Sequence, residues 1–347
     1  MYIRKILLFI VVLGLIIGGV FAYTVYDAIF SPNTKFNTEE AIVFVPTDAS
    51  FENIKDLLTP LLKDTESFLQ VADRKGYSKN IKGGKYAIQK GMNNNDIVNS
   101  LRSKNIPVKV AFNNQETMAD LAGRIASQIE PDSLSLLQIL EDESFYTANG
   151  FTDATKIAMF IPNSYEFFWN TSAQKFRGRM LSEYNRFWNE DRRTKAKALG
   201  LTPNEVVSLA SIVHKETAKV DERPRVAGVY LNRIRNNIKL QADPTVIYAL
   251  KKHTGNFDTI IKRVLYKDLE LDSPYNTYKY VGIPPGPITM PDISAIEAVL
   301  NPEKHDYYYF VVNVENFGYH KFAKDLAQHN RNKAQYIRWI NSQNINR

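Results

Sequence analysis

The longest uninterrupted apolar stretch lies at the N-terminus, where no charged residue occurs from Ile6 to Tyr26. Arg4 and Lys5 precede it, and the first acid is Asp27. As a helix this stretch would be ~31 Å long, enough to cross a bilayer core. It is longer than the apolar part of a typical cleaved signal peptide, and no clean small-x-small site follows it. We therefore expect an uncleaved transmembrane helix at 6–26. Residues 1–5 are then a cytoplasmic tail and the rest of the chain faces outward, because positive charge stays inside. Residues 27–40 combine turn formers with weak periodicity and read as a linker.

Patterning resumes at Ala41. AIVFVP is strand-like, and Ser50 caps a helix with apolar positions at Phe51, Ile54, Leu57 and Leu58. A second helix surrounds Phe68 to Arg74, KYAIQKGM returns as a strand and turn, and a short helix runs through Ile97, Val98 and Leu101. A further strand, PVKVAF, closes a small β-α-α-β module at 41–112. This module serves either packing or carbohydrate binding.

From Asn113 the pattern turns mostly helical. Met118, Leu121, Ala122, Ile125 and Ile129 keep helical spacing, as do Phe176, Met180, Leu181, Tyr184, Phe187 and Trp188. FIPNSYEFFW reads as a proline turn dense in aromatics. DYYYFVV at 306–312 is a strong strand, with 320–322 as its hairpin partner, and a last helix runs over about 324–341. There are no internal repeats. The expected class is α+β: an N-terminal transmembrane helix, a small β-α-α-β module, then a mostly helical domain at 113–347 with a small β portion.

Composition narrows the chemistry. With no cysteine there is neither disulfide nor thiolate nucleophile, and five histidines make a His-rich metal site improbable. Charged residues are 23% and the net charge is +7, with no basic run of the nucleic-acid type. No nucleic-acid partner is expected.

The chemistry is most legible between Thr202 and Thr217. Thr202-Pro203-Asn204-Glu205 is a capping box with proline at the first helical position. In the helix that follows, Val206, Leu209, Ile212 and Val213 form one apolar stripe, and Glu216 falls on it in the last turn. His214 and Lys215 point elsewhere. Desolvation and the negative end of the helix dipole would both raise the pKa of Glu216, which is what a general acid near neutral pH requires. The competing reading pairs Glu216 with Arg223, Arg225 or Arg233.

Polar and turn-forming clusters follow at ERPRVAGVYLNRI, LQADPTV, SPYNTY and GIPPGPI. Asn232, Gln241, Asn276, Thr277 and Tyr278, with Asp243, Thr245, Ser273 and Tyr275 in the same segments, supply the hydrogen-bonding groups and aromatics expected of a sugar cleft.

These segments, with LASIVHKET, LQADPTVIYAL, DSPYNTYKYVGIPPGPI, the Asn301-Pro302 turn and HKFAKDLAQHN, resemble the endolytic murein transglycosylases, the YceG-like proteins. The resemblance covers most of 113–335, and the N-terminal layout fits it. It implies a LysM-like module at 41–112 and a catalytic domain at 113–347. The protein would be single-pass in the inner (plasma) membrane, with that domain on the periplasmic side. It also implies cleavage between MurNAc and GlcNAc within nascent glycan strands to leave 1,6-anhydro ends, with Glu216, in the family's Lys-Glu-Thr segment, as the catalytic acid. Peptidoglycan, membrane lipid and peptidoglycan synthases are the implied partners, and no metal or cofactor is called for. Asp243, Asp272 and Glu222 are candidate helpers, or else helix caps and arginine partners. The chain departs from the family pattern at Asn163 and Ser164 and at Ala323, Asp325 and Gln328. A lysozyme-like hydrolase and a non-catalytic wall-binding anchor remain open.

Overall fold

The computed structural model describes residues 2–342. The chain folds into two units. The first comprises residues 1–110, 127–131 and 165–172, and the second the remainder.

The first unit begins with α1 (Tyr2–Phe30), a 29-residue helix with a mean hydropathy of 2.8 over its most apolar window. It extends four residues beyond the expected span at each end. Residues 31–39 are not a free linker either. Pro32 and Thr34 form isolated β-bridges to Asn93 and Leu62, and Asn33 is buried. The Asn33 amide donates to Asp64 O (2.6 Å) and Asn94 Oδ1 (2.7 Å) and accepts from the Asp64 N–H, so a polar residue ties down a segment that has no hydrophobic pattern.

Next come β1 (Glu40–Val45), α2 (Phe51–Leu58), α3 (Thr65–Arg74), β2 (Gly84–Gln89), α4 (Asn94–Ser103) and β3 (Pro107–Phe112). The β-α-α-β order expected from the periodicity is present. β1 and β2 pair antiparallel, with Val43 opposite Tyr86 and Val45 opposite Gly84. Their inner faces join Ile54, Leu58, Phe68, Ile97 and Leu101 in one core. Each helix starts where a side chain accepts a backbone N–H: Ser50 for α2, Asp64 for α3 and Asn93 for α4.

The chain continues through α5 (Met118–Ala126), α6 (Ser133–Leu140), α7 (Glu143–Ala148), β4 (Asn163–Phe168), α8 (Ala173–Phe187), α9 (Glu190–Ala198), α10 (Pro203–Glu216), α11 (Arg223–Arg235), α12 (Asp243–Thr254), α13 (Ile293–Leu300), β5 (Tyr309–Val312), β6 (His320–Ala323) and α14 (Leu326–Ser342). β3 pairs with β4. The latter occupies the segment expected to be a proline turn. Proline does end the preceding structure, but Tyr165, Phe167 and Phe168 suit a strand. The strong strand expected over 306–312 shortens to β5, which pairs antiparallel with β6 as expected. Ile129, placed on the helical stripe of α5, is buried beyond the end of that helix.

The centre of the second unit is α10, against which α11, α12 and α13 pack. The expected capping box is formed, with Thr202 Oγ1 accepting from Glu205 N–H and the Glu205 carboxylate accepting from Thr202 N–H. The helix is not amphipathic, however: every residue from Val206 to Val213 is buried. Two serines make this tolerable, because Ser208 and Ser211 donate to Asn204 O and Ser208 O, and Ser211 Oγ also accepts from Ile288 N–H. A helix enclosed on all sides from Val206 to Val213 gives its last turn a firm base.

Candidate active site

Glu216 is the last residue of α10. It is half-buried at the floor of an open cleft of about 450 Å³. Burial is the main influence on its carboxyl group and pushes the pKa up to about 7, against a usual value of 4.5. A hydrogen bond from the Tyr230 hydroxyl to Oε1, 2.7 Å long, acts in the opposite direction. Smaller contributions come from His320 and Arg233, which favour the anion, and from Asp243, which disfavours it. The carboxyl therefore divides between acid and anion near neutral pH.

Tyr230 comes from α11, where Val226, Tyr230 and Arg233 lie on one face at helical spacing. Its ring is buried edge-on against Phe310 of β5 at 5.9 Å. Its own pKa is driven far up by burial and by Glu216, so it stays a hydrogen-bond donor.

The arginines do not neutralise Glu216. Arg223 bonds to Asp292 and Ser294, and Arg225 to both oxygens of Glu303. Arg233 is buried and spends its donors on the carbonyls of Tyr308, Lys239 and Leu240 and, at 3.3 Å, on Gln241 Oε1. It thereby staples the chain before α12 to the chain before β5. His214 faces Asp292 and Lys215 pairs with Glu116, so both point away as expected.

Of the nine expected substrate-binding residues, Gln241, Asp243 and Tyr278 line this cleft. The Tyr278 hydroxyl donates to Asp243 Oδ1 at 2.5 Å. Gln241 has a φ of 50°, one of two non-glycine residues among those described with positive φ. Such a conformation is uncommon outside glycine and often marks a working position. Four others build the support. The buried hydroxyls of Thr245 and Thr277 share a hydrogen bond of 2.8 Å, and Thr277 Oγ1 also accepts from Ala242 N–H. Asn276 is buried, donating to Leu269 O and Leu271 O, and Tyr275 packs on Tyr248 at 4.8 Å. Ser273 accepts from Tyr275 N–H within its own turn. Asn232 lies on a different opening, bounded by 300–306, where its amide donates to His305 O and Tyr307 O. These residues form the frame because their polar atoms are already engaged within the protein.

Glu222 is buried and its carboxylate accepts from the His320 backbone N–H (2.6 Å), with its other oxygen 2.8 Å from His320 Nδ1. Burial works against this anion, but the hydrogen bonds prevail and hold its pKa below the usual range. Its role is to hold β6 and turn the His320 ring, which lines the cleft. Asp272 is exposed and pairs with Tyr280 and Lys279. Sequence reasoning missed Tyr230, Tyr309, Phe310, His320 and His329, all of which line the cleft. The spacing of Tyr230 and Arg233 on one face of α11 was a signal for the first. The others arrive through the β5–β6 pairing and α14. Among the described residues, no group of three or more His, Asp or Glu is placed to hold a metal ion.

Comparison with known proteins agrees with this arrangement of segments. The chain is 31% identical over 342 residues to an endolytic murein transglycosylase of Bacillus subtilis (strain 168), covering 93% of this chain and 91% of that protein. It is 28% identical over 360 residues to an endolytic murein transglycosylase of Streptococcus pneumoniae (serotype 2, strain D39), covering 95% of this chain but 64% of that longer protein. A crystal structure of a yceG-like protein from Listeria monocytogenes superposes with a TM-score of 0.56 at 27% identity, covering 85% of this chain and 99% of that one. The profile of the YceG-like family matches residues 43–335. On this extent of likeness, the chain belongs to the YceG-like family.

Proposed function

We propose that this protein is a membrane-anchored endolytic murein transglycosylase that cuts nascent peptidoglycan strands between MurNAc and GlcNAc. The observation that carries the reading is the Glu216 carboxyl, pushed by burial up to about 7, in an open cleft lined by polar and aromatic side chains. Relatives named endolytic murein transglycosylase support the substrate class.

In the proposed mechanism, protonated Glu216 donates its proton to the glycosidic oxygen as the bond from that oxygen to the MurNAc anomeric carbon breaks. The MurNAc 6-hydroxyl oxygen then bonds to the anomeric carbon. Its proton passes to the Glu216 carboxylate, which restores the acid and leaves a 1,6-anhydro end. One group with a pKa close to the working pH suits both halves of the cycle. Intramolecular attack gains from proximity, worth several kcal/mol. Tyr230 orients the carboxyl, and Gln241, Asp243 and Tyr278 hold the sugars.

In the same reading α1 anchors the chain with residues 27–347 outside the cytoplasm. The β-α-α-β unit is a LysM-like module that engages glycan, and peptidoglycan synthases are the partners that supply nascent strands. A second reading, a muramidase-type hydrolase, is favoured by one feature: Asp243 is another carboxylate on the cleft wall. Digestion of purified glycan strands with the full-length protein, followed by mass spectrometry of the ends, separates the two. Anhydro ends support the transglycosylase, reducing ends the hydrolase, and uncut strands a binding anchor.

A further inference from the structure

The outer end of α1 does not stand clear of the rest of its unit. It packs against α3 and α4, and the Asn94 amide donates to Ala28 O at 2.8 Å. Between these helices lies an open cleft of about 430 Å³. One wall is apolar and comes from α1: Phe21, Val25 and Ile29. The other has Val71 at its base and carries the polar and basic Gln70, Arg74, Lys75 and Asn95. No acidic residue lines it.

Its position along the helix matters. Counting from Ile6, Phe21 lies ~22 Å up the helix and Ile29 ~34 Å. The cleft therefore straddles the level at which a hydrocarbon core of ~30 Å gives way to headgroups. Tyr23 and Tyr26 stand at the same level, where aromatic residues favour the interface.

The positive charge is not spent. Arg74 is exposed and, among the described residues, forms no ion pair. Lys75 Nζ donates to Asn95 Oδ1 and Asn99 Oδ1, both neutral acceptors. Arg102 adds a third cation by donating to Lys75 O at 3.2 Å. Asp96 is close enough to act on Lys75 without pairing with it. We infer that this cleft binds the anionic headgroup of a membrane lipid, whose acyl chain lies along the apolar wall of α1. The inference rests on the proposal that α1 spans a membrane. Its consequence is that the first unit is held down on the bilayer surface rather than swinging from a loose tether.

The test uses the full-length chain extracted from vesicles containing equal amounts of phosphatidylglycerol and phosphatidylcholine, with lipids retained on the protein read by native mass spectrometry. We expect phosphatidylglycerol to be retained in preference. Arg74→Gln should lower that preference about 5-fold, the weight of one basic residue at an anionic surface. Val25→Trp, which fills the apolar wall, should reduce retention of both lipids. Equal retention of the two lipids by the unsubstituted chain would overturn the inference, as would indifference to both substitutions. Displacement by inorganic phosphate alone would show a phosphate site rather than a lipid site, and would also overturn it. If the chain does not enter the vesicles at all, it is the membrane-anchor reading that fails.

Discussion

Glu216 and Glu222 are six residues apart, yet they sit in opposite electrostatic settings. Glu216 closes the C-terminal end of α10, and Glu222 is the residue immediately before α11. A carboxylate meets the negative end of a helix dipole in the first place and the positive end in the second. Glu216 receives one hydrogen bond, from a phenol, and is raised to about 7. Glu222 receives the backbone N–H and ring of His320 and is lowered although burial works against its anion. The number of donors, not burial alone, separates a carboxyl raised toward neutral pH from a structural anion.

The sharpest break of this comparison is Glu216→Gln. A positioned general acid contributes ~10²–10⁴-fold to rate. On the proposal that one group acts as both acid and base, the loss in formation of anhydro ends should reach the upper end. Stability should respond in the opposite sense, and only with pH. A carboxyl whose folded pKa is raised supplies stability that is complete below the unfolded pKa and is lost as pH rises through the folded value. The window here runs from 4.5 to about 7. Paired melts should therefore show the Gln variant gaining on the unsubstituted protein across that window, by at most about 3 kcal/mol. A Gln variant that melts early and still makes anhydro ends would remove Glu216 from the chemistry.

Tyr230→Phe should move Glu216 further from Glu222 by removing the donor that favours its anion. The pKa of Glu216 then rises, and the alkaline limb of the activity profile moves to higher pH. Turnover should fall about 10- to 150-fold, in line with a hydrogen bond to a charged group worth ~1.5–3 kcal/mol. An unchanged pH profile would mean that the phenol does not act on Glu216.

Glu222→Gln erases the other half of the contrast. It leaves His320 without its anion, so we expect a loss of ~1–3 kcal/mol seen as a lower melting temperature. Because the folded pKa of Glu222 is lowered, its stabilising effect is present above the unfolded pKa and is lost as pH falls through the folded one. The penalty of the substitution should accordingly shrink in acid. Smallest of all, Asp243→Asn removes a like charge that raises Glu216. The alkaline limb should shift down by less than one pH unit, while sugar binding weakens through the altered partner of Tyr278.

Much of the local structure was legible before any tertiary contact was known. The apolar run at 6–26, the capping box at 202–205, the strand at 107–112 and the hairpin partners at 309–323 are recovered because each is set by neighbours in the chain: uncharged length, a cap three residues from its donor, alternation. Glu216 was placed on an apolar face for the same reason.

What the sequence determined by itself is therefore part of the set of helices and strands, the apolar N-terminal helix and the one carboxyl in the last turn of a buried helix. Only the tertiary structure decided what surrounds that carboxyl. Tyr230 reaches it because α11 packs on α10, and His320 because β6 pairs with β5 and hydrogen-bonds to Glu222. The three arginines are taken up by Asp292, Glu303 and a row of backbone carbonyls, none of which spacing could reveal. Thr245, Asn276 and Thr277 read equally well as sugar ligands or as internal partners until their acceptors are known. The physical reason is range: capping and periodicity act within one or two turns, whereas the pKa of Glu216 is set by groups up to about a hundred residues away in the chain.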